Sequence, residues 1–211
     1  MPAFKRAKVS YQKKKSKVTT LRRLMTPDVK QASTYNAFGA MATGGTITLL
    51  SGLSQGDSDL TRDGPRVFPV SMKVVFSSFV SSAAAITRVR VAIIQDKASN
   101  GAAPAVSDIF ESATNAESAY RVGYEGRFTV LADQLFANVN NANDSVVDFQ
   151  RFIKLSTKPP CSYIGTGATV IAAGTNHYYL VSINEGPAST GTGTGDTYDG
   201  QRTGWVFRYY D

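Results

Sequence analysis

The sequence predicts an all-β protein, an eight-stranded antiparallel jelly roll of two packed sheets behind a disordered basic N-terminal arm. Three observations carry this. From about residue 46 onward, six to twelve residues of period-two alternation are followed repeatedly by a cluster of Gly, Asp, Asn, Ser or Pro, the rhythm of strands and turns. No alternation of strands with long helical segments accompanies it, which sets a two-sheet jelly roll ahead of a parallel α/β fold. An immunoglobulin-like sandwich is the alternative, and its inter-sheet cysteine pair is absent. Finally, the first 30 residues carry ten Lys and Arg against one acid, while the remaining 181 carry 13 against 15. The formal charge of +7 therefore belongs to one end of the chain, and a body of this size suits one domain.

The arm is assigned to residues 1–34 and the folded domain to 35–211. Lys5, Arg6, Lys8, Lys13, Lys14, Lys15, Lys17, Arg22 and Arg23 stand without an acid among them. Their mutual repulsion keeps the segment extended until an anion neutralises it. These nine cations are the candidate nucleic-acid contacts, and phosphate neutralisation by such a run is blind to base sequence and sensitive to salt. Phe4 and Tyr11 are the arm's aromatics, so base stacking is minor there. Val18, Leu21, Leu24 and Met25 recur at helical spacing before Pro27, which fits a short amphipathic helix formed on binding. Lys13-Lys14-Lys15 with Lys17 also has the composition of a nuclear-import signal.

In the body, Ile47 and Leu49 alternate with Thr46 and Thr48, and Phe68, Val70, Met72, Val74 and Phe76 alternate with Pro69, Ser71, Lys73 and Ser77. Each set is expected to face one core. Val89, Val91 and Ile93 oppose Arg88 and Arg90, and Phe128 and Val130 oppose Arg127 and Thr129. Phe149, Ile153 and Leu155 mark a fifth strand, 161–171 a weaker sixth. Tyr179, Val181 and Ile183 mark the next, and Trp205, Phe207 and Tyr209 the last. A helix is expected within 104–112, where Pro104 suits a first turn and Val106, Ile109 and Phe110 share a side.

Candidates for chemistry are few. His177 is the single histidine, with no nucleophile paired to it in sequence, and reads as an ordinary strand-end side chain. Cys161, the single cysteine, excludes an intramolecular disulfide and a zinc cluster and has no basic neighbour to activate it. Gly191-Thr192-Gly193-Thr194-Gly195 lacks the flanking strand, helix and Gly-Lys-Ser/Thr of a phosphate-binding loop. Asp57, Asp59 and Asp63 could offer oxygens to a hard cation, but the spacing is not that of an EF-hand, and solvated turn carboxylates are the favoured reading. Arg88 and Arg90 either reach a partner or are solvated. No enzyme, no metal ligand and no cofactor is expected. With no signal-like run and no stretch of 18 apolar residues, the chain is expected to be soluble, made inside a cell and not inserted in a membrane.

Ile47-Thr48-Leu49-Leu50-Ser51-Gly52-Leu53-Ser54-Gln55-Gly56-Asp57, then Thr61-Arg62-Asp63-Gly64, resembles the first strands of satellite tobacco necrosis virus-like capsid proteins, whose relatives also occur in small circular single-stranded DNA viruses. Arg88-Val89-Arg90-Val91-Ala92-Ile93-Ile94-Gln95-Asp96-Lys97 with Asn100-Gly101-Ala102-Ala103-Pro104, Gly126-Arg127-Phe128-Thr129-Val130-Leu131-Ala132-Asp133, Phe152-Ile153-Lys154-Leu155 and Phe207-Arg208-Tyr209-Tyr210-Asp211 extend the resemblance over most of the body. The resemblance implies a viral coat protein that self-assembles, as 60 copies of a T=1 icosahedral shell, around a single-stranded genome, with single-stranded DNA favoured. Its implied partners are copies of itself, the genome and host import machinery, and its implied locations the virion and the host nucleus. Calcium at subunit contacts occurs in some relatives and is the one ligand left open. The competing reading is a non-assembling nuclear single-strand-binding or movement protein.

Overall fold

The computed structural model of the protein describes residues 29–36, 45–80, 88–99, 101–137, 145–185 and 200–211. The nine arm cations, the helix expected over 18–25 and the Gly-Thr run at 191–195 lie outside the described residues. Within them the strands are β1 (Lys30–Tyr35), β2 (Thr46–Leu49), β3 (Arg66–Val80), β4 (Arg88–Asp96), β5 (Phe128–Ala137), β6 (Ser145–Lys154), β7 (Cys161–Tyr163), β8 (Ala173–Thr175), β9 (His177–Glu185) and β10 (Gly200–Tyr210). One helical turn, α1 (Val106–Ile109), occupies the centre of the expected helix.

One sheet has the order β1-β10-β3-β7-β8, with β6 also paired to β3, and the other runs β2-β9-β4-β5. Every pairing between these strands is antiparallel. The long β3 takes β10 on one edge, and on the other takes β6 from Ser71 to Val80 and β7 at Arg66 and Val67. The expected two-sheet jelly roll is what forms, with a different membership. β1 was not among the eight expected strands and begins within the segment assigned to the arm. The weak strand over 161–171 resolves into two three-residue strands, β7 and β8. β1 is hard to read because only Ala32 of its six residues packs on the core, while its outward positions are polar or belong to the edge.

The expectation of a single core also changes. Between the sheets lie Met72, Val74 and Phe76 of β3, Val89, Val91 and Ile93 of β4, Tyr178 and Leu180 of β9, and Phe207 and Tyr209 of β10, all at most 2% exposed. A second cluster covers the opposite face of the four-stranded sheet: Ala92, Ile94, Tyr179, Val181 and Ile183 pack against Val106, Ile109, Phe110 and Ala116 from the connection after β4. Ile47 and Leu49 join this second cluster, as do Tyr179, Val181 and Ile183. β9 is buried at every position from His177 to Asn184 because both its faces are covered.

Phe68 departs from the simple alternation as well, being 52% exposed while Val67 is fully buried. The register gives the cause: Arg208 pairs with Ser71 but Tyr209 with Pro69, so Val70 is an extra residue and the faces exchange there. Pro69, which has no amide hydrogen to give a ladder, sits at this bulge.

Replacing the fully buried ring of Phe207 by Ala should lower stability by about 3–5 kcal/mol, through lost burial and a cavity. Phe152→Ala, at a ring 69% exposed on the same sheet, should change stability by no more than about 0.5 kcal/mol. Denaturant unfolding of unassembled protein, followed by circular dichroism, compares the two.

Candidate nucleic-acid interface and buried polar network

The point where the arm joins the body is fixed by Lys30, the first residue of β1. Its Nζ lies 2.7 Å from Asp63 Oδ1 and 2.6 Å from Asp211 Oδ2, and donates to the Thr61 carbonyl at 3.1 Å. Hydrogen bonds donated to Asp211 and Asp63 push the Lys30 ammonium above its usual range. Lys30 is thereby neutralised within the body, and the nine cations of the arm stand N-terminal to this clamp. Asp63 serves the same clamp, while Asp57 and Asp59 are exposed on a turn closed by Ser58 and Thr61. Among the described residues no group of three or more His, Cys, Asp or Glu converges as a metal site would require.

The strand arginines are engaged. Arg90 makes a fork to Asp133, Nε to Oδ1 at 2.9 Å and Nη2 to Oδ2 at 2.6 Å, and lies 4.3 Å over the Phe110 ring. It also donates to the Ser118 carbonyl, and the Tyr120 hydroxyl donates to Asp133 at 2.5 Å. Burial would raise the Asp133 carboxyl, but the hydrogen bonds from Arg90 and Tyr120 outweigh it and hold the pKa below the ordinary value. Arg90 therefore fastens the 110–120 connection onto the four-stranded sheet. Arg88 reaches Glu117 at 3.1 Å and Glu185 at 3.6 Å in a half-exposed cluster. Arg127 forks onto the fully buried Asp96 at 2.9 and 2.8 Å.

His177 is not the ordinary strand-end residue the sequence suggests. It is fully buried, with Nδ1 3.0 Å from Ser51 Oγ and Nε2 2.6 Å from the Ser162 carbonyl. Since a carbonyl only accepts, Nε2 carries the proton and Nδ1 accepts from Ser51, whose oxygen in turn accepts from the Tyr178 amide at 3.0 Å. Tyr163 meets the imidazole edge to face and donates to the Ser51 carbonyl at 2.7 Å. Arg62, 1% exposed, lies 4.2 Å over the Tyr163 ring and donates to the Leu53, Gly64 and Gly165 carbonyls. This serine–histidine contact is a structural tie between the β2–β3 connection, β7 and β9, because every polar atom of the pair is already engaged and none faces solvent. Nothing local in sequence signals it: Ser51 and His177 are 126 residues apart. Cys161 is buried too, donates to the Asn176 carbonyl at 3.0 Å, and has its thiol pushed up by burial.

Sheet order and register thus define a jelly roll of two antiparallel sheets, tied by buried polar residues and preceded in sequence by a basic segment. A family model, that of the satellite tobacco necrosis virus coat protein, matches residues 4–197. The chain belongs to this family of viral coat proteins. Among solved structures, a chain of the Israeli acute paralysis virus full particle heated to 63 degrees is similar at 9% identity, with a TM-score of 0.29, 99% of this chain and 83% of that chain being covered. No curated protein matches.

Burial lowers the His177 pKa below its usual value near 6.5, with opposing contributions from the Ser162 hydrogen bond and Asp96 and a further lowering from Arg62. The unfolded chain therefore binds the extra proton first. Stability is full above about pH 6.5 and falls as pH drops below it, by at most about 1.4 kcal/mol per pH unit from this one group. His177→Gln, whatever its own cost, should flatten the melting temperature between pH 7.5 and 5.5 relative to the parent chain; parallel slopes would refute the assignment.

Proposed function

We propose that this chain forms the coat of a small virus, 60 copies closing into a T=1 shell, with the arm holding single-stranded nucleic acid, DNA being favoured. The observation that carries the proposal is membership of a coat-protein family over residues 4–197. The division of charge supports it: sixty arms of nine cations would bring about 540 positive charges to one lumen, while a nearly neutral body avoids repulsion where copies meet. Catalysis has no part in this function. Assembly in the nucleus, with Lys13-Lys14-Lys15 and Lys17 as the import signal, belongs to the same proposal.

Sedimentation and negative-stain microscopy of the chain expressed alone test it. Closed particles are expected; monomer at every salt and pH, with nucleic acid present, would point instead to a non-assembling single-strand-binding protein. A chain beginning at Val29 should still form shells but hold little nucleic acid. In the full-length chain, nine phosphates neutralised by the arm contribute about −6 to the slope of log K against log salt. A slope near −1 would remove the arm as the main contact.

A further inference from the structure

The four-stranded sheet is covered on both faces, whereas the six-stranded sheet leaves its outer face uncovered by any described element. Strand register places the side chains of that outer face on a grid. Gln31, Arg208, Ser71 and Lys154 form one row across β1, β10, β3 and β6; Ser33, Val206, Lys73 and Phe152 form the next. Tyr35, Gly204, Val75 and Gln150 follow, and then Arg202, Ser77 and Asp148. With neighbouring strands about 4.8 Å apart and same-face residues about 6.7 Å apart along a strand, the grid spans about 15 by 20 Å.

Four cations stand on this grid against one carboxylate, Asp148, and all five side chains are exposed. Lys73 and Lys154 have no ion-pair partner among the described residues, and Arg208 donates to the neutral Gln31 amide at 3.0 Å, which leaves its charge uncompensated. Two rings, Tyr35 and Phe152, are each 69% exposed between the cations. Single exposed rings are ordinary on a protein surface, so it is their position among the cations that marks this face. A cavity of about 180 Å³ opens between Phe152, Lys73 and Arg208. A second, of about 250 Å³, lies beside Tyr35 and Arg202. Tyr35 lies flat over the backbone of Gly204, where an added Cβ would stand 2.3 Å from its Cδ1, so glycine is what lets the ring lie there.

We propose that this sheet face is a second binding surface for single-stranded nucleic acid, with Lys73, Lys154 and Arg208 taking phosphates and Phe152 and Tyr35 stacking on bases. The positive charge selects a polyanion over another copy of this near-neutral body, and the open rings select unpaired bases, whose faces are free to stack. The surface adds a base-contacting component that the arm, poor in aromatics, lacks. It rests on the nucleic-acid reading of the preceding section, and β1 places it on the sheet to which the arm is joined.

Fluorescence anisotropy of the full chain with labelled dT20, rU20 and an abasic deoxyribose-phosphate 20-mer tests this, below the concentration at which particles form. Phe152→Ala and Tyr35→Ala should each weaken dT20 and rU20 about tenfold and leave the abasic strand unchanged. Lys73→Gln with Lys154→Gln should make the salt slope shallower by about 1.4, at 0.7 per phosphate lost. The same effects should persist in a full chain whose nine arm cations are replaced by Gln. If the sheet variants keep parental affinity and slope while arm replacement abolishes binding, this proposal fails and the arm reading stands. If the parental chain binds none of the strands, both fail. A Phe152→Ala chain that binds normally but no longer assembles without nucleic acid would assign the face to a neighbouring copy and overturn the proposal.

Discussion

The pairing of β3 with β10 is the constraint on which the remaining architecture depends. β10 is placed between β1 and β3, and β3 carries β6 and β7 on its far edge, so one antiparallel ladder holds together the whole six-stranded sheet. The bulge at Val70 lies in that ladder and reverses which residues meet the core. Without it, Phe68 would turn inward and Val67 outward, and the sheet would present a different chemistry to each side.

The two sheets solve the problem of their faces differently. The six-stranded sheet leaves its outer face uncovered by any described element, and apart from the bulge at Val70 it shows the expected alternation. The four-stranded sheet is enclosed on both, by the other sheet and by the connection carrying α1 and the 110–120 segment. That cover is secured by charge as well as by apolar contact. Arg90 stands at the centre with Asp133, Tyr120 and Phe110, and Arg127 closes the far end on buried Asp96. Ionic groups so enclosed would be destabilising alone, and each is matched by a fork of hydrogen bonds.

The fold class, the two-sheet arrangement and the position of helix α1 were legible because alternation is local. Val89, Val91 and Ile93 announce their strand within five residues, and nothing distant alters the reading. What sequence concealed is set by register between remote segments. β1 has too few apolar residues to announce itself, and becomes a strand because β10 offers it an edge. The acidic turn reads as solvated carboxylates, with a cation as the lesser reading, until Lys30 claims Asp63 from 33 residues away. His177 reads as unremarkable until Ser51 and Ser162 converge on it. The sheet-face grid likewise exists only once four strands are laid side by side, since its cations are isolated in sequence.

The order of strands along the chain also governs when the sheet can exist. β1 is synthesised before every other strand described, but the strand it pairs with, β10, comes about 180 residues later, Lys30 meeting Tyr209. Until β10 leaves the ribosome, β1 has no partner and β3 exposes the edge that β10 will occupy. A fold dominated by such remote pairings closes slowly and leaves an adhesive edge open during synthesis. The six-stranded sheet is therefore complete only when its last strand arrives, whatever has paired before it.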